Sequence, residues 1–209
     1  MLRRQHLTVS ALAGLVIPVF AAGCSEDEKA TPQAVFDGRL ELTPSKLEPD
    51  EKNCGEAGGL FTIGEFGNPA FEPPIPTKPV KDGDSTQQGG AGVGCSVTPA
   101  GEGEFNISGF LNLTGATGGT FNIRQAKIKT TCTPDAPCTG ISATFSKRTG
   151  AGLVYNQTDG GCTLVFTTPY QGVAAGRVWG EITCPKVTNS GAGVACQAVA
   201  QFRFENCDQ

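Results

Sequence analysis

The chain has 209 residues and a mass of 21.6 kDa, a length that suits one domain with or without a tail. Sixteen Lys and Arg residues against twenty Asp and Glu residues give a net charge of −4. This lack of a basic excess argues against nucleic-acid binding.

The first 23 residues have the order of a secretory signal. Arg3 and Arg4 give a positive start, residues 7–22 form an uncharged and mostly apolar run, and small residues precede Cys24. The run is shorter than the ~20 residues that a membrane-spanning helix needs, and acidic residues rather than basic ones follow it. Residues 1–23 are therefore predicted to be a signal peptide that is removed on export.

The residues at the end of this segment, Ala21-Ala22-Gly23-Cys24, resemble a bacterial lipobox, the recognition site of signal peptidase II. Lipoboxes usually have Leu or Val at the position of Ala21. The resemblance implies that Cys24 becomes the mature N-terminus and carries fatty acyl chains such as palmitate, which anchor it stably when two or more are present. Ser25 resembles the signal for sorting to the outer rather than the inner membrane. The alternative is an ordinary signal peptide followed by an incidental cysteine.

The number of cysteines fits lipidation of Cys24. Nine is an odd number, and removing Cys24 leaves an even number for the oxidising compartment that an exported chain enters. Four disulfides are therefore predicted among Cys54, Cys95, Cys132, Cys138, Cys162, Cys184, Cys196 and Cys207. A zinc site made of cysteines alone would need paired C-x2-C spacings, which this chain lacks, so neither a metal nor a cofactor is predicted.

Sequence spacing suggests two of the four pairings. Cys132 and Cys138 flank a turn-rich loop that brings its ends together, and Cys95 and Cys207 mark the first and the last predicted core strands. Spacing leaves the others open: Cys54, Cys162, Cys184 and Cys196. Within that group, Cys184 is placed equally well to pair with Cys196 or with Cys162.

Residues 24–53 are polar and acidic and contain Pro32, Pro44 and Pro49, which predicts a flexible tether. The run Val35–Leu42 within it has the pattern of an outlying strand. Residues 54–209 are predicted to form the folded body. Five prolines between residues 68 and 79 place that segment in a surface loop, because central strands exclude proline.

The body is predicted to be all-β. Apolar and polar residues alternate with period two, and glycine- and threonine-rich breaks recur between the runs. The predicted strands cover residues 105–113, 120–130, 140–146, 152–155, 162–168, 177–184 and 194–206. A disulfide-stapled antiparallel β-sandwich is the expected fold, with a small open barrel as the alternative.

One cysteine precedes the first core strand, a second lies at the last strand, and the strands between them are rich in glycine. In these features the chain resembles the family of the mycobacterial 19 kDa lipoprotein antigen. The resemblance covers about residues 93–207. It implies a β-sandwich with a surface or binding role.

The sequence offers few residues for catalysis. His6 is the single histidine and leaves with the signal, which excludes His-dependent catalysis and His-ligated metal from the mature chain. Glu102 and Glu104 lie two apart on a predicted strand and could act as paired carboxylates on a glycoside, although a solvated strand edge is the favoured explanation. Asp82 and Asp84 flank Gly83 as in part of a calcium loop, but the downstream Glu is missing, so a turn is predicted.

Trp179 is the residue that most suggests binding. If Val178 and Ile182 belong to the core, Trp179 and its neighbour Arg177 point outward, and an exposed Trp beside an Arg is typical of interaction hot spots. The alternative is a Trp packed under a loop.

These patterns predict a lipid-anchored protein of the cell envelope, at the outer rather than the inner membrane, with a binding or structural role. The membrane, through Cys24, and an envelope protein or glycan are its expected partners. An enzyme is not expected. The alternative function is a carboxylate-dependent hydrolase that acts on envelope glycans.

Overall fold

The structure is a computed structural model that describes residues 29–41, 50, 52–54, 61–147, 154–189 and 191–209. Cys24 and the predicted signal peptide, residues 1–23, lie outside the described residues. The described part contains strands and no helix, and so it contains no helix that could cross a membrane. The strands are β1 Gln33–Glu41, β2 Lys52–Asn53, β3 Phe61–Ile63, β4 Val80–Lys81, β5 Ser85–Thr86, β6 Gly89–Gly101, β7 Glu104–Leu113, β8 Gly119–Lys129, β9 Cys138–Lys147, β10 Val154–Val165, β11 Gly172–Ala174, β12 Arg177–Asn189 and β13 Val194–Glu205.

The strands belong to one sheet in the order β3-β1-β13-β12-β10-β9-β8-β7-β6-β5, with β2, β4 and β11 pairing at its margins. Neighbours are antiparallel except for β2, which runs parallel to β13. The sheet curls into an open half-barrel. The predicted all-β, disulfide-stapled antiparallel fold class is confirmed, and the curled single sheet takes the form of the open barrel.

The inner face of the curled sheet carries the core. On β13, alternate residues from Cys196 to Phe204 are buried, as the sequence pattern predicts. Phe121 on β8 packs against aromatic rings from the opposite wall, at centroid distances of 4.5 Å from Phe36 and 5.4 Å from Phe202. These contacts hold the β8 wall against β1 and β13, because each aromatic pair contributes about 0.5–1.5 kcal/mol beyond the free energy of burying its surface.

Gly109 on β7 allows the two walls to approach each other. A Cβ atom at this position would lie 2.9 Å from the ring of Phe204 on β13. A glycine within a strand often marks such a close approach, since any side chain would push the facing ring away.

All eight cysteines of the described residues form disulfides. The pairs predicted from spacing, Cys95–Cys207 and Cys132–Cys138, are both present. Cys162 pairs with Cys184, which decides between the two partners that spacing left open for Cys184. The fourth bridge, Cys54–Cys196, closes the longest loop, with a sequence separation of 142 against 112 for Cys95–Cys207.

The predicted tether, residues 24–53, includes strand β1, and in that respect the prediction is wrong. β1 pairs with β13 over its whole length, from Gln33 opposite Glu205 to Glu41 opposite Gln197, and Phe36 is fully buried. The folded body therefore begins no later than Gln33. The run Val35–Leu42, which the sequence indicated as an outlying strand, does form a strand up to Glu41, but that strand belongs to the main sheet and its apolar side chains lie on the core.

Strand boundaries also differ from the sequence prediction elsewhere: β6 was not among the predicted runs, β12 extends beyond residue 184, and β10 joins two of them. Residues 152–155 and 162–168 were expected to form two strands, but β10 runs continuously through Val154–Val165. Its register against β9 shifts between Gln157 and Leu164, and this irregularity explains why alternation is lost in the middle of the strand.

Candidate binding cleft

Trp179 lies on the outer face of the sheet, near the start of β12. Its neighbour Val178 and the nearby Ile182 are buried in the core, so the outward direction expected for Trp179 and Arg177 is the one observed. Trp179 pairs across the strands with Arg203 on β13, whose guanidinium carbon lies 5.0 Å from the centroid of the indole ring.

Trp179 is also packed under a loop, which was the alternative expectation. The ring of Phe66 stacks on the indole at a centroid distance of 5.9 Å and an interplanar angle of 21°. The side chain is consequently half-buried, whereas Arg177 is exposed. Trp179 thus points outward as expected, but it is packed under the loop rather than exposed.

The loop that covers Trp179 consists of residues 64–79, the segment in which prolines predicted a surface loop. Two isolated bridges, Glu65 with Lys78 and Asn68 with Ile75, shape it as an irregular hairpin. Thr77 fixes the loop to the sheet, because its hydroxyl donates to the carbonyl of Phe66 at 2.6 Å and accepts from Nη1 of Arg203 at 3.0 Å. The loop therefore forms one wall of a cleft above the outer face.

Residues 167–173 form the second wall, and the buried side chain of Gln171 holds them in place. Its Oε1 accepts from the backbone N–H of Thr167 at 2.5 Å, and its Nε2 donates to Oε1 of Glu181 at 3.2 Å. The Thr167 hydroxyl also donates to Glu181. Gln171 is only 8% exposed, so this network gives the wall a fixed position beside β12.

The cleft between the two walls has a volume of about 550 Å³. Prolines from both walls line it together with Ile75 and Tyr170, and Trp179 and Arg203 lie at its base. Arg203 is ion-paired with Glu205 at 2.5 Å, and Glu205 also accepts from Nε2 of Gln33 at 2.9 Å. Arg177 lines the cleft and is exposed, so it can offer its charge to a ligand.

The indole N–H of Trp179 is buried and has no hydrogen-bond acceptor in the described part of the protein. Among the described residues, no other buried side-chain nitrogen or oxygen lacks a hydrogen-bond partner. Leaving such a donor unpaired costs about 1–3 kcal/mol, so this indole is a point of local destabilisation beneath the loop.

Exposed apolar side chains concentrate on the two walls. Among the described residues, five large hydrophobic side chains are exposed, and three of them, Phe71, Ile75 and Tyr170, belong to these loops. We refer to these three residues as the apolar rim. Scattered exposed apolar residues are ordinary, but a cluster beside a cleft marks an interaction site.

The carboxylates considered for hydrolysis are not arranged as expected. Glu102 lies in the turn between β6 and β7 rather than on a strand, so it does not share a strand face with Glu104. Positive φ angles at Gly101 and Gly103 make this turn. Nζ of Lys127 lies 2.5 Å from Oε2 of Glu104, and this hydrogen bond and charge lower the pKa of that carboxyl.

Asp82 and Asp84 form the predicted turn between β4 and β5. Oδ1 of Asp82 accepts from the backbone N–H of Val93, and Oδ2 of Asp84 accepts from that of Lys81, each at 2.8 Å. Gly83 has a φ of 83°, which a turn requires. Within the described ranges, no three His, Cys, Asp or Glu side chains are grouped as metal ligands.

Sequence reasoning found Trp179 and Arg177 but missed Arg203, Tyr170 and the role of the proline-rich loop. The prolines were a visible signal for a loop, but its place over β12 depends on pairings between distant strands.

No protein-family model, curated protein or solved structure matches the chain.

Proposed function

We propose that this protein is an exported, lipid-anchored binding protein of the cell envelope that takes up a glycan in the Trp179 cleft. The observation that carries the proposal is a cleft with fixed walls, lined by the exposed Arg177 and by aromatic and proline side chains. The guanidinium of Arg177 can donate hydrogen bonds to sugar hydroxyls, and the C–H faces of sugar rings suit apolar surfaces such as those of proline and Tyr170.

The cleft has the features of a preformed site. Gln171 and Thr77 tie the walls to the sheet through side-chain hydrogen bonds, so little conformational entropy is lost when a ligand binds. Arg177 offers an exposed charge for the polar side of the ligand. A concave site that combines apolar surface with a few fixed polar groups is the usual form of a small-ligand site.

Export and anchoring rest on the N-terminal sequence and the cysteines. Four disulfides support an oxidising compartment. The lipobox-like residues that end at Cys24 support a lipid anchor, and Ser25 supports the outer membrane.

The binding proposal can be tested with intrinsic fluorescence, because Trp179 is the single tryptophan of the chain. Purified protein is titrated with peptide-free glycan strands prepared from peptidoglycan, and tryptophan emission is recorded. We expect a saturable change in emission, since the ligand changes the surroundings of a fluorophore that lines the cleft. No change at millimolar sugar would contradict binding of this glycan in the cleft.

A pair of matched variants locates the site. Arg177→Ala removes an exposed Arg that lines the cleft, and Arg124→Ala removes an exposed Arg on β8 that does not. Both keep Trp179 as the reporter. We expect Arg177→Ala to weaken binding about 10- to 150-fold, the range of a charged hydrogen bond, while Arg124→Ala leaves it unchanged. Equal effects of the two variants would place the ligand elsewhere.

The anchor has its own test. Cys24→Ser should move the protein from the membrane fraction to the soluble fraction of the producing cells, because the acylated residue is lost. Unchanged membrane partitioning would reject lipidation at Cys24.

The hydrolase alternative has weaker support. Glu104 is ion-paired to Lys127 with a lowered pKa, which does not suit a general acid. Release of reducing sugar from the same glycan strands, lost on Glu104→Gln, would favour the hydrolase.

A further inference from the structure

The segment that leads to Cys24 enters the sheet at one defined end. Asn206 Nδ2 donates to the carbonyl of Thr31 at 2.9 Å, and the ammonium of Lys29 forms an ion pair with Asp208. Residues 29–32 are thus fixed beside the last residues of the chain. β1 begins at Gln33, opposite Glu205 of β13, so this end of the sheet is the one at which β13 finishes.

The cleft lies at the same end. Val178 of β12 pairs with Phe204 of β13, and the backbone N–H of Cys207 donates to the carbonyl of Gly176 at 2.9 Å. Gly176 immediately precedes Arg177, which lines the cleft. The apolar rim belongs to the walls of this cleft, so the rim and the N-terminal segment share one end of the strands.

Chain length limits how far this end can be from a lipid anchor. Cys24 and Lys29 are separated by about five residues, and a fully extended chain spans at most about 3.3–3.6 Å per residue, or roughly 17 Å. A free tether of about 30 residues would have allowed a root-mean-square separation of roughly 30 Å. Incorporation of β1 into the sheet removes that freedom.

We propose that the end of the sheet that carries the apolar rim rests on the membrane, with Phe71, Ile75 and Tyr170 in the headgroup layer. This inference rests on the lipid anchor of the proposed function. Apolar and aromatic side chains that reach the interface bury their surface among lipids, and tyrosine favours this depth. The cleft lies at this end too, so sugars carried on lipid headgroups are the glycans nearest to it.

The opposite end of the sheet provides the control position. Val154 is 41% exposed, and its carbonyl accepts from Nδ2 of Asn189 at 2.9 Å, at the far end of β12. β12 has 13 residues, so the two ends lie about 40 Å apart at ~3.3 Å per residue. Tyr170, at the rim, is 53% exposed.

The test places one tryptophan at either end. Trp179→Phe is combined with Tyr170→Trp in one variant and with Val154→Trp in the other. Each full chain is produced with its signal segment, purified from membranes and reconstituted into vesicles of phosphatidylethanolamine and phosphatidylglycerol. The same vesicles are then prepared with lipids brominated near the headgroup, which quench nearby tryptophan. Flotation of the vesicles measures anchoring separately.

We expect brominated lipids to lower the emission of tryptophan at position 170 about twofold or more and to leave position 154 unchanged, because an interfacial side chain contacts the quencher. The wild-type protein provides a measurement of quenching without any substitution, because its own Trp179 lies at the proposed membrane end. If the protein floats with the vesicles but quenching is equal at both positions, or absent at position 170, the proposed orientation is wrong and the lipid anchor is retained. A chain that does not float overturns both, because the distance argument begins at a lipidated Cys24.

Discussion

Replacing both Cys54 and Cys196 by alanine removes the bridge that closes the longest loop of the chain, with a separation of 142 residues. In the chain-entropy model, such a cross-link contributes about 5 kcal/mol in an otherwise unbridged chain. The Cys95–Cys207 bridge shortens the effective loop, because the path from Cys54 to Cys95, across that bridge and back from Cys207 to Cys196 covers only about 52 residues. The expected loss is then about 4 kcal/mol.

A matched control is the double variant Cys132→Ala with Cys138→Ala. It also removes two sulfur atoms, but its bridge closes a loop with a separation of only 6 residues, worth about 2 kcal/mol in the same model. Each variant loses one bridge and two sulfur atoms, and only Cys138 of the four residues is not fully buried, so the difference between the variants reports mainly loop closure. We therefore expect the first variant to be less stable than the control by about 2 kcal/mol.

Equilibrium unfolding in urea without reductant, followed by circular dichroism, measures both losses by linear extrapolation. The slope of the Cys54/Cys196 variant should also rise, because its unfolded chain is more expanded and exposes more surface. Equal losses, or a larger loss in the Cys132/Cys138 variant, would refute the assignment of stability to the long-range bridge.

Three further changes test separate parts of the structure. Phe121→Ala should lower the free energy of unfolding by about 3–5 kcal/mol in the same urea assay, because its ring joins both walls of the core; a loss below 1 kcal/mol would contradict this packing. Gly67→Ala should loosen the proline-rich loop, since Gly67 has a φ of 69° and its added Cβ would lie 2.4 Å from the carbonyl oxygen of Ile75. Faster hydrogen exchange in residues 64–79 checks this, and unchanged exchange would speak against it. Lys127→Met should raise the pKa of Glu104 toward its ordinary value, as measured by NMR titration. The pKa of Glu104 is lower in the folded state than in the unfolded state, so the ion pair stabilises the fold when the pH is above the unfolded-state pKa. This stabilisation is lost as the pH falls through the folded-state pKa. The variant should therefore lack this loss of stability in acid.

Much of the fold could be predicted from the sequence because strand alternation is a local pattern. The buried face of β13 follows directly from residues 196–204, and the outward direction of Trp179 follows from its position between core residues. The loop between Cys132 and Cys138 is likewise local, so its bridge could be predicted from turn residues alone.

Other features depend on contacts between distant residues. β1 is held by a partner that lies over 150 residues further along the chain, as in the pairing of Phe36 with Phe202, so the local pattern around Phe36 predicted a strand but not its place beside β13. The pairing of Trp179 with Arg203 requires the register of β12 against β13, which spacing does not specify. Glu102 is different, since the glycines on either side of it were a readable turn signal that should have outweighed the alternation.

If the chain is exported as we propose, the connectivity of its disulfides has a consequence for how it is oxidised. In chain order, the eight body cysteines pair first with seventh, second with eighth, third with fourth and fifth with sixth. An oxidase that joins cysteines in order of emergence would make the two short bridges, Cys132–Cys138 and Cys162–Cys184, correctly. It would also link Cys54 to Cys95, and that error can be resolved only after the final strand has crossed the membrane. Secretion of this protein should therefore depend on a disulfide isomerase, and cells without one should accumulate the Cys54–Cys95 species in non-reducing peptide maps.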